Sequence, residues 1–493
     1  MNTIKLSVSD LKSTVLPSLG RLVSRRSTLP VLQSIRITRD VKGGVSLQAT
    51  DLDSHVTYHC PEPQPGEPID LLIPFEPLNR LMKGLGKQEM IEIGMADKNR
   101  VNVHYQLSGS EMNKSLDSIP ASEFPSQPII KQPGFAVGPE FGLAVKQAFQ
   151  CCSQDPTRLV LNGVCLDVDN PKQQYVVGTN GRILYSANSF TFPFKKSVSL
   201  PSSKFLTHTD LIDEGCMLTV EPPAPKAEYG FIKLESPRWS FITKEGVGPF
   251  PNWKQCVPEM TSPKAIIKLG PAAIKQILEV LPHLPGNVEP DHKVRFSVNA
   301  GELRLEGPDH EKAAWTGVWV SDANVTGKPI TIALNRNYLA AALKFNLNEV
   351  RLEDELSPMV FVNGGKRMVV MPVRLSAETS RLPAPAPVTQ PQPSATPPAT
   401  TTPPQVNPEA NEKEPEMAKT EPKPTTQTPT PTPTPAPSLL QQIDQLKETL
   451  KSVIRDLTGL GDAVKLAEKQ QRLTEKEVES ARQTLEKLKQ VTI

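Results

Sequence analysis

The 493-residue sequence has few aromatic side chains (5%), almost no net charge and no long apolar run. Its 55 Lys+Arg and 53 Asp+Glu give a formal net charge of +2, so any nucleic-acid surface must come from local clusters of cations. No run of about 18 apolar residues is present, and the N-terminal residues lack the apolar segment of a signal peptide. We therefore expect no membrane-spanning helix, no export by that route and a cytoplasmic location.

Cysteine is scarce and unpatterned. The six cysteines include no C-x-x-C pair, and the adjacent Cys151 and Cys152 are poor partners for a mutual disulfide, so reduced thiols are expected. His55 and His59 fall four apart on a predicted strand, about 13 Å from each other, which is too far to share a metal ion. Neither a complete phosphate-binding loop nor a pairing of a nucleophile with a base is recognisable. We expect no metal, no cofactor and no enzymatic activity.

A unit of helix and strands repeats six times within residues 1–376. In each unit a short apolar strand is followed by a proline or a polar cap and then by a helical pattern. Such residues suit the first turn of a helix, whose N–H groups have no intrahelical partner. The units are 67, 64, 63, 69 and 65 residues apart, starting near Leu6, Ile73, Val137, Leu200, Leu269 and Leu334.

Paired units predict the domain organisation. Alternating or apolar runs between the helices predict strands. We therefore predict an α+β fold of three tandem domains, each with two helices on antiparallel sheets, over residues 1–130, 131–262 and 263–376.

The remaining residues differ from the repeats in composition. Residues 377–437 are rich in Pro and Thr, and residues 381–437 hold 18 of the 51 prolines, which predicts a disordered, extended linker. Residues 438–493 contain no proline and carry apolar residues seven apart in two series that begin at Ile443 and Leu446. This spacing predicts a helical coiled coil or hairpin that associates with its own copy or with an unknown partner.

Seven short strings occur along the repeats in an order and spacing that resemble those of a known family, the bacterial β sliding clamp (DNA polymerase III subunit beta). They are residues 26–32 (RSTLPVL), 49–53 (ATDLD), 119–125 (IPASEFP), 158–164 (RLVLNGV), 179–181 (TNG), 250–253 (FPNW) and 370–375 (VMPVRL). The resemblance covers residues 1–376 and implies three clamp domains per chain. Two such chains would close head to tail into a ring around duplex DNA.

The predicted DNA contacts are polar and mostly cationic, because a ring that slides on DNA needs phosphate contacts and no base readout. The resemblance implies contacts at three of these positions, and outward helix faces supply the others. Taken singly, each lysine is equally well explained as part of a solvated helix face. The residues implied by resemblance are Arg26, Gln154 and Lys204, and those from helix faces are Arg25, Arg80, Lys83, Lys146, Lys275 and Arg336.

The resemblance also implies an apolar pocket that binds short linear motifs of the polymerase and the clamp loader. Two departures from the family pattern, Arg182-Ile183 after the TNG string and Gln255-Cys256 after FPNW, suggest a variant pocket. Ordinary core between domains is the alternative interpretation for each wall residue. The implied wall consists of Leu161, Thr179, Gly181, Leu184, Pro251, Val369, Met371, Pro372, Val373, Arg374 and Leu375.

The function expected from this resemblance is that of a homodimeric DNA sliding clamp that binds double-stranded DNA without sequence preference, tethers the replicative polymerase and acts at the nucleoid. One alternative is a clamp-like paralogue that serves as a repair or regulatory scaffold. Another is a β-rich adaptor that oligomerises through its coiled coil and does not bind DNA.

Overall fold

The computed structural model describes residues 2–24, 27–287, 291–299, 301–309 and 314–374, which belong to one compact unit. The predicted linker (377–437) and the predicted coiled coil (438–493) lie outside the described residues. So do three of the predicted site residues, Arg25, Arg26 and Leu375.

A helix follows each of the six predicted starts, which confirms the repeat. The first helix, residues 8–19, contains a π-helical turn, Leu11–Val15, between two short α-helical segments. The α-helices are α1 (Val8–Asp10), α2 (Leu16–Leu19), α3 (Phe75–Gly84), α4 (Pro139–Cys151), α5 (Lys204–His208), α6 (Pro271–Val280) and α7 (Arg336–Lys344).

The helix starts have the expected chemistry. Pro139 and Pro271 are the first residues of α4 and α6, where the missing N–H costs no hydrogen bond. Asn335 caps α7, because its side chain accepts a hydrogen bond of 2.9 Å from the Asn337 N–H. Each helix then buries one face, as Leu78 and Met82 of α3 illustrate.

Each unit contributes one strand before its helix and three after it, and the fifth unit adds a fourth. Short 3₁₀ turns, among them Leu159–Leu161 and Trp253–Cys256, lie between them. The strands are β1 (Thr3–Ser7), β2 (Ser34–Arg39), β3 (Val45–Thr50), β4 (Ser54–His59), β5 (Ile69–Pro74), β6 (Met90–Asp97), β7 (Arg100–Leu107), β8 (Ser110–Asp117), β9 (Phe135–Val137), β10 (Gly163–Asp167), β11 (Gln174–Thr179), β12 (Ile183–Phe190), β13 (Val198–Pro201), β14 (Cys216–Glu221), β15 (Phe231–Glu235), β16 (Trp239–Lys244), β17 (Ala265–Leu269), β18 (Lys293–Asn299), β19 (Glu302–Asp309), β20 (Ala314–Val320), β21 (Ala323–Gly327), β22 (Ile330–Asn335), β23 (Glu349–Leu352), β24 (Met359–Asn363) and β25 (Lys366–Val370).

The units exchange their first strands in pairs. β1 of the first unit lies beside β6 of the second, and β5 of the second lies beside β2 of the first. The third and fourth units exchange β9 and β13 in the same way, and the fifth and sixth exchange β17 and β22. All of the described pairings between strands are antiparallel, so the α+β prediction is confirmed.

Two sheets continue from one pair of units into the next. β4 pairs with β16 to give the eight-stranded order β5-β2-β3-β4-β16-β15-β14-β9. β12 pairs with β25 to give the nine-stranded order β13-β10-β11-β12-β25-β24-β23-β17-β21. The predicted boundaries near residues 130 and 262 lie between the exchanging pairs, and the division into three domains stays a prediction.

Helix α4 packs very closely on the nine-stranded sheet. A Cβ atom on Gly178 of β11 would lie 2.2 Å from the carbonyl oxygen of Ala148, so this position has no room for a side chain. On the same sheet face, Tyr185 of β12 is fully buried and its hydroxyl donates to Gln147 Oε1 at 2.6 Å. Among the described residues, no helix is long and apolar enough to cross a membrane.

Candidate functional site

The opposite face of the nine-stranded sheet carries the predicted partner pocket. Strand register places Thr179 of β11 opposite Leu184 of β12, and Leu184 opposite Val369 of β25. The same row continues through Val360 of β24 to Arg351 of β23. Three predicted pocket residues from three strands are therefore direct neighbours.

Gly181 and Met371 adjoin this row. The Gly181 N–H donates to Thr179 Oγ1 at 3.1 Å, inside the tight turn between β11 and β12 where Gly181 has a φ of 85°. The Met371 N–H donates to the carbonyl oxygen of Arg182 at 2.9 Å, and its side chain is 47% exposed. Both residues therefore lie next to the turn between β11 and β12.

Trp253 packs on the same sheet face, beside β10 and β11. It is buried in one apolar cluster with Leu184, Val369 and Val360, and its ring lies edge-on to Tyr175, with a centroid distance of 5.0 Å. Leu184 and Val369 are only 5% and 3% exposed. Both side chains are therefore buried in this structure, and the pocket stays a prediction.

A buried carboxylate holds Trp253 in place. The Trp253 Nε1–H donates to Asp167 Oδ2 at 2.7 Å, and Lys254 Nζ lies 2.9 Å from the same oxygen. Asp167 is 3% exposed, so the lysine supplies the positive charge that a buried carboxylate needs. Sequence reasoning missed this pair, although the aromatic residue of the FPNW string was a signal for it.

The other predicted wall residues differ in exposure. Pro251 is exposed, two residues before Trp253, and Leu161 is half-buried at the end of the 3₁₀ turn before β10. Pro372 is half-buried and Arg374 is exposed. The Val373 N–H donates to the carbonyl oxygen of Ala333 at 2.8 Å, so the chain leaves the row toward β22.

Five of the predicted DNA-binding residues are on the surface. Arg80 and Lys83 are exposed on α3, and Lys204 is exposed as the first residue of α5. Gln154 is exposed in the loop after α4. The Lys275 side chain on α6 is 78% exposed, and its Nζ lies 3.9 Å from Glu279, a spacing at which an exposed pair binds weakly.

Two predicted DNA contacts are not free cations on a helix surface. The prediction for Arg336 is wrong, because this side chain is 3% exposed and its guanidinium donates to the carbonyl oxygens of Leu281 and Leu284 at 3.1 and 2.8 Å. Arg336 thus ties α7 to the end of α6. Lys146 is half-buried and forms an ion pair with Asp213, so a phosphate would have to compete with that carboxylate.

The cysteines are buried apart from Cys256, which is exposed, and Cys60, which is half-buried. Burial raises the pKa of the Cys60, Cys152, Cys165 and Cys216 thiols to about 12, because the protein interior disfavours a thiolate. Within the described part of the chain, no group of three or more His, Cys, Asp or Glu side chains could hold a metal ion.

The fold is that of bacterial sliding clamps. The chain is similar to DNA polymerase III subunit beta from Pseudomonas aeruginosa (TM-score 0.63, 19% identity), over 76% of this chain and 100% of that one. It is equally similar to the DNA polymerase sliding clamp from Bacillus subtilis (0.63, 17%), again over 76% and 100%. The Caulobacter crescentus pol III beta gives 0.62 and 22%, with the same coverage. No family model and no curated protein matches the sequence.

Proposed function

We propose that this protein is a DNA sliding clamp, which closes as a homodimer around duplex DNA and tethers a replicative polymerase. The observation that carries the proposal is the correspondence of its described fold to complete bacterial clamps over 76% of the chain. The remaining residues, from the predicted linker onward, have no counterpart in those clamps and would add a further association.

The distribution of surface cations supports weak, sequence-independent DNA binding. Arg80, Lys83, Lys204 and Lys275 are exposed and belong to three different units of the repeat. Separate phosphate contacts of this kind position a duplex without reading its sequence. With a formal net charge of +2, bulk electrostatics would contribute little, and retention would depend on threading.

Two edge strands support closure by a second copy. No described strand pairs with β8 beyond β7, or with β20 beyond β19, so each leaves backbone hydrogen-bonding groups open. Met112 on β8 is 43% exposed and Trp319 on β20 is 56% exposed. Pairing β8 of one chain with β20 of another would cover both side chains.

Retention on circular DNA tests the proposal. The protein, loaded with the host loader on nicked plasmid, should stay bound at high salt and dissociate when the plasmid is linearised, because only a closed ring is held topologically. Equal retention on the two DNA forms would refute the clamp function.

The triple variant K83E/K204E/K275E should weaken binding to linear DNA and reduce the salt dependence of that binding. The control K42E/K98E/K172E changes the same charge at exposed lysines outside the predicted contacts.

Sedimentation tests closure separately. The M112E/W319E variant should shift the protein toward monomers, because both edges would then carry buried charges. Deleting residues 377–493 should leave the dimer intact. A truncated chain that sediments only as a monomer at micromolar concentration would contradict the proposed interface.

The burial of two row residues favours one second candidate, a clamp-like scaffold with altered partners. Leu184 and Val369, two residues of the pocket implied by the resemblance, are 5% and 3% exposed and belong to one apolar cluster with Trp253. A scaffold of this kind would bind polymerase-type motif peptides poorly. Calorimetric titration with such peptides separates the two functions, because a replicative clamp should bind them at micromolar concentration.

A further inference from the structure

The segment between β8 and β9 crosses one face of the eight-stranded sheet. Arg36 Cζ of β2 lies 5.7 Å from the centre of its Phe124 ring, and its Gln127 Nε2–H donates to Thr57 Oγ1 of β4 at 2.8 Å. The backbone N–H groups of residues 131 and 132 then donate to one carboxylate of β14. An extended segment therefore covers this face from the second strand of the sheet order to the seventh.

The segment between β16 and β17 leaves part of the nine-stranded sheet open. It connects the second pair of units to the third, as the first segment connects the first pair to the second. Trp253 fixes it near β10, where the Trp253 Nε1–H donates to Asp167 Oδ2 at 2.7 Å. Residues 257–261 then line one wall of a groove of about 820 Å³.

The floor of this groove contains a register row from four neighbouring strands. Residues directly opposite one another in a sheet point to the same face, so these side chains share the floor. The row consists of Ser186 of β12, Arg367 of β25, Val362 of β24 and Glu349 of β23.

Arg367 is the cation of this floor that has no carboxylate partner. It is exposed, and among the described residues it forms no ion pair. By contrast, Arg351 Nη2 lies 2.7 Å from Glu349 Oε1, and Lys254 Nζ lies 2.9 Å from Asp167 Oδ2. A ligand carboxylate would therefore meet a free guanidinium at Arg367, which can bind it through two parallel hydrogen bonds.

The rest of the groove lining is positive overall and has an apolar end. Tyr175, Val257 and Met260 border the groove and pack against the apolar cluster of Trp253. This combination suits a ligand that carries both an acidic and an apolar side chain. The charged residues of the lining are the cations Lys254, Arg351, Lys366 and Arg367 and the carboxylates Glu259 and Glu349.

We propose that this groove binds a short extended segment of another protein, with an acidic side chain at Arg367 and an apolar side chain against Tyr175 and Met260. At about 4.8 Å between strands, the four strands of the row span about 14 Å, which about four to five extended residues would cross. The segment on the eight-stranded sheet shows that an extended chain fits across strands of this fold. The inference does not depend on the proposed clamp function, and the groove floor is a different register row from that of Leu184 and Val369.

Peptide selection on the full-length protein tests the groove. A phage library of random nine-residue peptides, selected on the native chain and depleted on R367E, should yield peptides with an acidic residue and an apolar residue a few positions away. Depletion on R238E should instead remove these peptides, because Arg238 is an exposed arginine outside the groove. No enrichment, or enriched peptides without an acidic residue, would overturn the proposal.

Fluorescence anisotropy with a selected peptide measures the affinity. R367E should weaken binding at least about tenfold, because a hydrogen-bonded ion pair is replaced by two like charges. R238E should leave the affinity unchanged. A peptide with lysine in place of its acidic residue should bind R367E more tightly than the native chain, and a general loss of structure cannot produce this reversal. If the reversal is absent, Arg367 is not the partner of the acidic residue and the proposal fails.

Photochemical cross-linking locates the bound peptide. A benzophenone in place of the apolar residue should link to Tyr175 or to residues 257–261, as identified by mass spectrometry. Links confined to residues 179–184 would place the peptide in the predicted motif pocket and would refute binding in this groove.

Discussion

Trp253 offers a sharp test of the apolar cluster that includes Leu184 and Val369. Replacing it with alanine removes a side chain that is 7% exposed and belongs to one apolar cluster with Leu184 and Val369. Substitutions of buried tryptophan by alanine cost about 3–5 kcal/mol, because apolar contacts are lost and a cavity remains. We therefore expect W253A to lower the free energy of unfolding by that amount and to increase the binding of an apolar dye.

The variant W253F separates packing from hydrogen bonding. It keeps most of the ring and removes the Nε1–H that donates to Asp167 at 2.7 Å. A hydrogen bond to a charged group contributes about 1.5–3 kcal/mol. Lys254, at 2.9 Å, continues to neutralise Asp167, so the cost of W253F should lie near the lower limit.

Urea unfolding monitored by circular dichroism measures both effects, and hydrogen exchange of residues 163–190 shows whether the loss is local. The control is L356A, because Leu356 is 71% exposed and lies outside the proposed interface, so its loss should cost less than about 1 kcal/mol. If W253A costs no more than L356A, Trp253 does not stabilise this apolar cluster and the reasoning fails.

Three further changes test other parts of the fold. G178A should destabilise the protein by at least about 1–3 kcal/mol in thermal melts, because its Cβ would lie 2.2 Å from the backbone oxygen of Ala148. The control G84A should be tolerated, because a Cβ at Gly84 has no heavy atom within 4 Å. E306Q should lower the free energy of unfolding in urea by about 3–5 kcal/mol, because Arg295, which is 5% exposed, would lose the carboxylate that lies 2.7 Å from it. A decrease below about 1 kcal/mol would contradict a buried ion pair. Ellman's reagent should label Cys256 quickly and the other thiols slowly. Burial raises the pKa of four of those thiols from 9.0 to about 12. Their contribution to stability is therefore complete below pH 9 and is lost as the pH rises toward 12. Melting temperatures measured between pH 8 and 11 should accordingly fall as the pH rises. A melting temperature constant over that range would contradict this assignment.

The sequence was sufficient for the repeat because the signals are local. Proline or a cap followed by an apolar stripe marks each helix start, as at Pro271 and Asn335. The strands are predicted by the alternation of apolar and polar residues over a few positions. Which strands pair could not be predicted in this way, because β1 and β6 are more than 80 residues apart and nothing in either strand specifies its partner.

The same limit explains why Arg336 and Lys146 are not the free surface cations that their sequence positions suggested. Arg336 stands at a helix start, as an exposed cation would, but residues more than 50 positions earlier supply carbonyl oxygens that enclose it. Lys146 meets Asp213, 67 residues away. Leu184 and Val369 were identified by resemblance, whereas their burial in one cluster with Trp253 depends on packing that periodicity does not encode.

The exchange of first strands limits how the gene for such a protein can be lengthened during evolution. A single unit cut from the chain would carry a strand that belongs to its neighbour's sheet and would lack the edge of its own. The smallest piece able to complete its hydrogen bonds is therefore two units, so an ancestral gene could lengthen by doubling such a piece and not by adding one unit at a time.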